Sequence, residues 1–112
     1  MAKEILTVMK TLSILGATGS IGSNALDIVR QFPELFRVCA LTAKTNIDAL
    51  ARQIVQFQPR LAAVMDDDHA GRLKALLPDG VDVEIVTGDV GYIAAATCPE
   101  ADLVLGAMVG AA

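Results

Sequence analysis

The clearest chemical capability lies near the start of the chain, in the run Leu15-Gly16-Ala17-Thr18-Gly19-Ser20-Ile21-Gly22. It follows an apolar stretch and opens a segment of helical period. This G-x-x-G-x-x-G loop is a variant of the G-x-G-x-x-G pattern that joins a strand to a helix and cradles a dinucleotide. Gly16 lets the chain turn sharply, Gly19 lets backbone approach a pyrophosphate, and Gly22 lets the helix pack close to the sheet. The N–H groups of Ser20 and Ile21, at the positive end of the helix dipole, would face the phosphates. Thr18 and Ser20 add hydroxyl donors. The competing reading, glycines serving only a tight strand-to-helix turn, is disfavoured by the loop's place in a βαβ unit.

A second signal is an absence. In NAD-binding units an acid about 20 residues beyond the glycines bonds the ribose hydroxyls. Here that zone reads Ala40-Leu41-Thr42-Ala43-Lys44-Thr45-Asn46, and the first acid is Asp48, inside the next helical segment. A carboxylate would repel a 2′-phosphate, whereas Lys44, Thr45 and Asn46 offer a cation, a hydroxyl and an amide donor. The pattern points to NADP(H) over NAD(H). The plainer alternatives are a solvated lysine at 44 and a helix cap at 46.

Other residues invite chemistry and fall short. Asp66-Asp67-Asp68-His69 resembles a ligand cluster, but three acids opening a helix are more simply caps and dipole complements. His69 is the only histidine, so neither a metal site nor a Ser/His/Asp or Cys/His set assembles around it. Cys39 and Cys98 form no C-x-x-C pattern and lie in or beside apolar runs, which predicts buried free thiols in a reducing compartment. Arg30, Arg37, Arg52, Arg60 and Arg72 are dispersed surface charges, and Asp27 falls on the polar side of a helix.

The elements that must position these residues alternate regularly. Apolar runs at residues 11–15, 36–41, 61–65, 81–86 and 103–109 read as strands. Between them, Ile21, Ala25, Ile28, Val29 and Phe32 form one helical stripe stopped by Pro33. Ile47, Leu50, Ala51, Ile54 and Val55 form a second, with Asn46 as N-cap and Pro59 as the stop. A third stripe, Ala70, Leu73, Leu76 and Leu77, ends near Pro78, and a weaker fourth helix runs over residues 89–96. This alternation predicts an α/β fold, a Rossmann-like doubly wound parallel sheet of about five strands with helices on both faces. Residues 11–15 and 103–109 are almost continuously apolar, as in central strands covered on both sides. In contrast, residues 81–86 alternate, with Asp82 and Glu84 between Val81, Val83 and Ile85, as at a sheet edge. The fifth strand therefore belongs beside the first, giving the order 4-3-2-1-5.

Composition bounds the remaining classes. The 112 residues are 54% hydrophobic, 20% charged and 4% aromatic, which excludes a disordered chain and disfavours an aromatic-rich β-sandwich. Nine Lys and Arg against 13 Asp and Glu leave a net charge of −4, with no electrostatic footprint for nucleic acid or a membrane surface. No apolar run approaches a membrane span, and residues 1–10 read as an N-terminal extension without signal-peptide features, so a cytoplasmic location is expected.

The run of residues 14–22, then Leu26-Asp27-Ile28-Val29-Arg30, then Pro33-Glu34-Leu35-Phe36-Arg37-Val38, resembles the start of the 1-deoxy-D-xylulose 5-phosphate reductoisomerase family. Ala40-Leu41-Thr42-Ala43 with Asn46, Val64-Met65-Asp66-Asp67 and Gly106-Ala107-Met108-Val109-Gly110-Ala111-Ala112 extend the resemblance over nearly all of the chain after Thr11. The resemblance implies an enzyme that uses NADPH and a divalent metal, Mg or Mn. Its sugar-phosphate substrate is 1-deoxy-D-xylulose 5-phosphate, its product is 2-C-methyl-D-erythritol 4-phosphate in non-mevalonate isoprenoid synthesis, and it is a homodimer. It implies Thr18, Gly19, Ser20 and Ile21 as pyrophosphate contacts and Lys44, Thr45 and Asn46 as the 2′-phosphate clamp. The family often has Gly and then a basic residue before that Asn; with Lys44 followed by Thr45, the cation here sits one position earlier.

The same resemblance makes residues 11–112 an incomplete NADPH-binding domain, inactive alone, with the metal ligands and substrate groups in a continuation beyond Ala112. At the end of the fifth strand, Gly106, Ala107 and Gly110 would leave room for the nicotinamide ribose, with Met108 as an adaptable apolar contact. Two alternatives stand beside this reading. One is the N-terminal domain of a semialdehyde-dehydrogenase-like reductase, which needs a nucleophilic cysteine. The other is a non-catalytic module that senses dinucleotide.

Overall fold

The structure is a computed structural model that describes residues 9–106. Strand and helix alternate: β1 (Lys10–Leu15), α1 (Ser20–Gln31), β2 (Phe36–Thr42), α2 (Ile47–Phe57), β3 (Leu61–Val64), α3 (Asp67–Leu76), β4 (Glu84–Thr87), α4 (Gly88–Ala96) and β5 (Leu103–Gly106). The strands form one parallel sheet in the order β4-β3-β2-β1-β5, which is the order read from the strand patterns. The helix boundaries have local causes. The α1 helix ends at Gln31, two residues before Pro33, whose ring cannot continue a helix. In α2 the chain turns at Gln58, in the left-handed region (φ 51°), ahead of Pro59.

Two cores lie on opposite faces of the sheet. On one, Leu12, Ile14, Val38, Leu41, Ala62 and Val64 pack against Leu26 and Val29 of α1, Ile47, Leu50 and Ile54 of α2, and Leu73 of α3. On the other, Ala40 and Ala63 meet Ala95 and Tyr92 of α4, with Cys39 and Cys98 beside them. Three crossovers in one direction place α1–α3 together, and the return from β4 to β5 carries α4 to the opposite face. The buried Ser13 hydroxyl faces that side and donates to the Ala95 carbonyl at 2.6 Å, so β1 carries no unpaired hydroxyl there.

One irregularity had no sequence signal. Leu12 lies opposite Val38 and Ser13 opposite Ala40, so Cys39 is an extra residue in β2. The bulge interrupts the alternation of sides, and Cys39 and Ala40, though consecutive, both belong to the α4 core.

Two expectations need correction. The fourth strand begins at Glu84 rather than at residue 81. β3 has only four residues, Leu61–Val64, each already opposite one of Glu84–Thr87, so Val81 and Val83 have no strand partner. They still pack on the core, which is why the alternating pattern extended too far. The second concerns residues 103–106, read as a covered central strand. They pair with β1 alone among the described strands, and Leu103, Val104 and Leu105 are exposed. Asp102 secures that pairing: its N–H donates to the Thr11 carbonyl at 2.7 Å, and its carboxylate accepts from the Thr11 N–H at 2.8 Å.

Candidate functional site

The glycine loop leaves the carboxyl end of β1 and is held on two sides by hydrogen bonds with β2 and α2. Gly16 has φ 73°, a conformation that glycine adopts without strain. Its N–H donates to the Thr42 hydroxyl at 2.8 Å, and the Ala17 N–H donates to the Thr42 carbonyl at 2.7 Å. The Ala17 carbonyl accepts from Gln53 Nε2 of α2 at 2.9 Å. The end of β2 and the flank of α2 thus fix the loop before α1 begins.

The glycines at 19 and 22 differ in what they require. A Cβ on Gly22 would lie 2.7 Å from Ala17 Cα and closer still to the Gly16 carbonyl oxygen, so only glycine fits that close approach. At Gly19 the nearest atom to such a Cβ is the Gly16 carbonyl oxygen at 3.5 Å, an ordinary contact. The fold therefore demands glycine at 22 and tolerates a side chain at 19. Space above Gly19 is what a bound phosphate would use.

The start of α1 is open to an anion. Gly19 is the N-cap and supplies no side-chain hydrogen bond, and the first turn carries no acid. Ser23 N–H to the Gly19 carbonyl, at 2.8 Å, begins the helical ladder, which leaves the amides of Ser20, Ile21 and Gly22 without an intrahelical partner. The other helices are furnished differently. Asn46 caps α2 with Asp48 in its first turn, Asp66 caps α3 with Asp67 and Asp68 following, and α4 carries Asp89. Ser20 and Ile21 are exposed, and Thr18 is half-buried.

Lys44, Thr45 and Asn46 form the exposed loop from β2 into α2. Asn46 Oδ1 accepts from the Ala49 N–H at 3.3 Å, so the capping role is real, while the amide NH₂ remains free to donate to a ligand. Because β1 and β2 are neighbours and Thr42 bonds the glycine loop, residues 16–22 and 44–46 lie side by side at one end of the sheet. On the other flank, Gly106 of β5 is opposite Leu15, directly before the loop. The glycine loop thus lies where strand order reverses, between β2 and β5, the place at which open α/β sheets accept ligands. Ala107, Met108 and Gly110 lie outside the described residues.

The remaining candidates have structural roles. Asp66 Oδ1 accepts from the His69 N–H at 2.9 Å and meets His69 Nδ1 at 2.5 Å. These bonds, the backbone one first, hold the Asp66 carboxyl below the usual carboxylate range. Asp27 pairs with Arg30, and Arg60 with Glu100. Both cysteines are buried free thiols. Burial, then the neighbouring Cys98 thiol, pushes Cys39 up to about 12, which makes it unfit as the nucleophile that a semialdehyde-dehydrogenase-like reductase requires. Among the described residues no three His, Cys, Asp or Glu side chains converge as a metal site, and no helix is long and apolar enough to cross a membrane.

Sequence reading missed two side chains that hold the glycine loop, Thr42 and Gln53. Gln53 carried a usable signal, a polar residue set among Leu50, Ile54 and Phe57 on the inward side of α2. Thr42 ends an apolar strand without any pattern of its own.

The sequence model of the 1-deoxy-D-xylulose 5-phosphate reductoisomerase family matches residues 12–112. The chain belongs to that family. The family member from Trichlorobacter lovleyi is 54% identical over 104 residues, covering 93% of this chain and 26% of that protein. The one from Desulfosudis oleivorans is 47% identical, again over 93% of this chain and 27% of that protein. Among solved structures, a DOX-P reductoisomerase in complex with NADPH, fosmidomycin and magnesium matches with TM-score 0.78 and 36% identity, over 86% of this chain and 24% of that one. The Zymomonas mobilis reductoisomerase in complex with NADPH matches with TM-score 0.76 and 32% identity, over 83% and 24%. The chain spans about a quarter of the length of the curated relatives it matches.

Proposed function

We propose that residues 11–112 belong to the NADPH-binding domain of a 1-deoxy-D-xylulose 5-phosphate reductoisomerase, with the pyrophosphate over Thr18–Ile21 and the 2′-phosphate at Lys44, Thr45 and Asn46. The observation that carries this reading is the opening turn of α1. It has neither a capping side chain nor an acid, and it begins at a glycine whose missing side chain the fold itself does not require. A diphosphate satisfies both features: it takes the free amides and the positive helix end, and it needs the space over Gly19. The matched structures in complex with NADPH support the choice of nucleotide.

When bound, NADPH would supply a hydride to a sugar-phosphate substrate. The residues on this chain bind and orient it. Gly16 and Gly22 set the turn, the α1 amides take the pyrophosphate, and the loop at 44–46 selects the adenosine end. Ala107, Met108 and Gly110 would adjoin the nicotinamide. In this reading the divalent metal, the substrate groups and the homodimer contacts belong to the rest of a cytoplasmic protein, and these residues alone do not turn over.

Titration by the fluorescence of bound nicotinamide tests the proposal. NADPH should bind the full-length protein more tightly than NADH, and NADPH oxidation should depend on 1-deoxy-D-xylulose 5-phosphate and Mg or Mn. Equal affinity for the two nucleotides, or oxidation by residues 1–112 alone, would contradict it.

A further inference from the structure

Tyr92 lies on α4, on the side of the sheet opposite α1–α3, half-buried against the small core of Ala40, Ala63 and Ala95. Its hydroxyl donates to the Ala43 carbonyl at 3.2 Å, across 49 residues of sequence. Ala43 is the residue immediately before Lys44, and its own N–H donates to the Ala63 carbonyl at 3.0 Å. Both backbone polar groups of Ala43 are therefore held, one by the end of β3 and one by α4. On the far side, Asn46 is held by its helix: its carbonyl accepts from the Leu50 N–H at 3.2 Å, and its side chain accepts from Ala49. Lys44 and Thr45 join these fixed ends, with the Thr45 carbonyl also accepting from the Ile47 N–H at 2.9 Å.

The Ala43 carbonyl shares a rigid peptide plane with the Lys44 N–H, so holding one fixes the direction of the other. Burial, then the charges of Asp66 and Asp89, keep the phenol protonated to higher pH than usual. Across the physiological range it remains a donor to the carbonyl.

We propose that Tyr92 is a positioning residue for nucleotide selectivity: its hydroxyl, by holding the Ala43 carbonyl, orients the Lys44–Thr45 bridge that receives the 2′-phosphate. The inference rests on the reading of residues 44–46 as the 2′-phosphate site. It assigns that site a support from a helix on the other face of the sheet, which glycine-loop and strand-end patterns do not indicate.

The test is Tyr92→Phe in the full-length protein, beside Lys44→Glu. Amide hydrogen exchange at Ala43, whose N–H is bonded to the Ala63 carbonyl, measured without nucleotide, reads the anchoring; dissociation constants for NADPH and NADH read its use. Tyr92→Phe should accelerate exchange at the Ala43 amide and weaken NADPH by about three- to tenfold, the range of one ordinary hydrogen bond. NADH should change by less than about twofold. Unchanged exchange, or equal weakening of both nucleotides, overturns the assignment, the latter marking Tyr92 as a support of the fold. If Tyr92→Phe leaves both affinities alone while Lys44→Glu still loses NADPH selectively, the Tyr92 inference fails and the loop assignment survives. If Lys44→Glu does not discriminate, the loop assignment fails and the inference falls with it.

Discussion

Thr42 and Gly16 join the ends of two strands: the Thr42 hydroxyl accepts the Gly16 N–H at 2.8 Å, while the next amide, that of Ala17, donates to the Thr42 carbonyl. One residue at the end of β2 thus holds the first two residues of the glycine loop. Thr42 is buried, and Thr42→Val keeps its shape while removing the acceptor. The variant should lose about 1–3 kcal/mol, the cost of an unmet buried donor, measured by urea unfolding. With the pyrophosphate over the loop as proposed, it should also weaken NADPH and NADH alike, because that part is common to both.

Gly19 and Gly22 should separate binding from folding. Gly19→Val should keep a cooperative thermal transition near that of the parent while abolishing nucleotide binding, since its Cβ meets only ordinary contacts. Gly22→Ala should lower stability by about 1–3 kcal/mol through overpacking, because its Cβ would press on the Gly16 carbonyl and Ala17. A Gly19→Val protein that binds NADPH normally would remove the pyrophosphate from this loop.

Much of this arrangement was legible in the residues themselves. The sharp turn at Gly16 and Asn46 and Asp66 as caps are local patterns, and each is matched by local geometry. The strand order followed from comparing apolar runs, since the alternation around Glu84 marks an edge. Contacts that depend on register were not legible. The extra residue at Cys39 exists only relative to β1, and the bonds from Thr42, Gln53 and Tyr92 cross between elements whose relative heights no single-chain pattern encodes. The exposed β5 misled for a related reason: an apolar run reports that burial is favoured, and the described residues provide it on one edge only.

Charge reversal at Lys44 addresses selectivity. With the 2′-phosphate at residues 44–46 as proposed, Lys44→Glu should weaken NADPH by several-fold or more and leave NADH nearly unchanged. Calorimetric titration of both nucleotides checks it. Equal losses would place the lysine's effect on the fold or the pyrophosphate.

At the start of α3, the His69 backbone N–H holds the Asp66 carboxyl below its ordinary value. The charged form is therefore favoured in the folded chain, and its contribution to stability is present at neutral pH. That contribution is lost as pH falls below about 4 and through the lowered folded value. Asp66→Asn keeps a capping oxygen and removes the titration. Its melting temperature should lie below the parent's at pH 7, with the gap closing in acid. A gap constant over that range would show that the charge contributes nothing.

Cys39 responds at the other end of the pH scale. Its thiol is pushed from 9.0 to about 12 by burial and by Cys98. Below the ordinary thiol value both folded and unfolded chains hold the proton and nothing changes. Between that value and about 12 the unfolded chain ionises first, so stability falls as pH rises. Cys39→Ala should flatten the alkaline decline in melting temperature, and a thiol reagent at pH 8 should modify Cys39 only once the protein is denatured. Rapid labelling of the native chain would contradict this burial.

The reciprocal bonds between Thr11 and Asp102 span 91 residues, and this separation acquires a meaning while the chain is being made. A ribosome adds residues at about 5–20 per second, so on the order of ten seconds pass between the emergence of β1 and that of its second neighbour, β5. During this interval β1 can pair with β2 and receive α1 and α2, while its opposite flank shows bare amides and carbonyls. The glycine loop is then already complete, held by Thr42 and Gln53, which are both made early. The nascent polypeptide thus has its glycine turn formed while one border of its sheet is still unpaired. Only the arrival of residues 103–106 closes that border of β1.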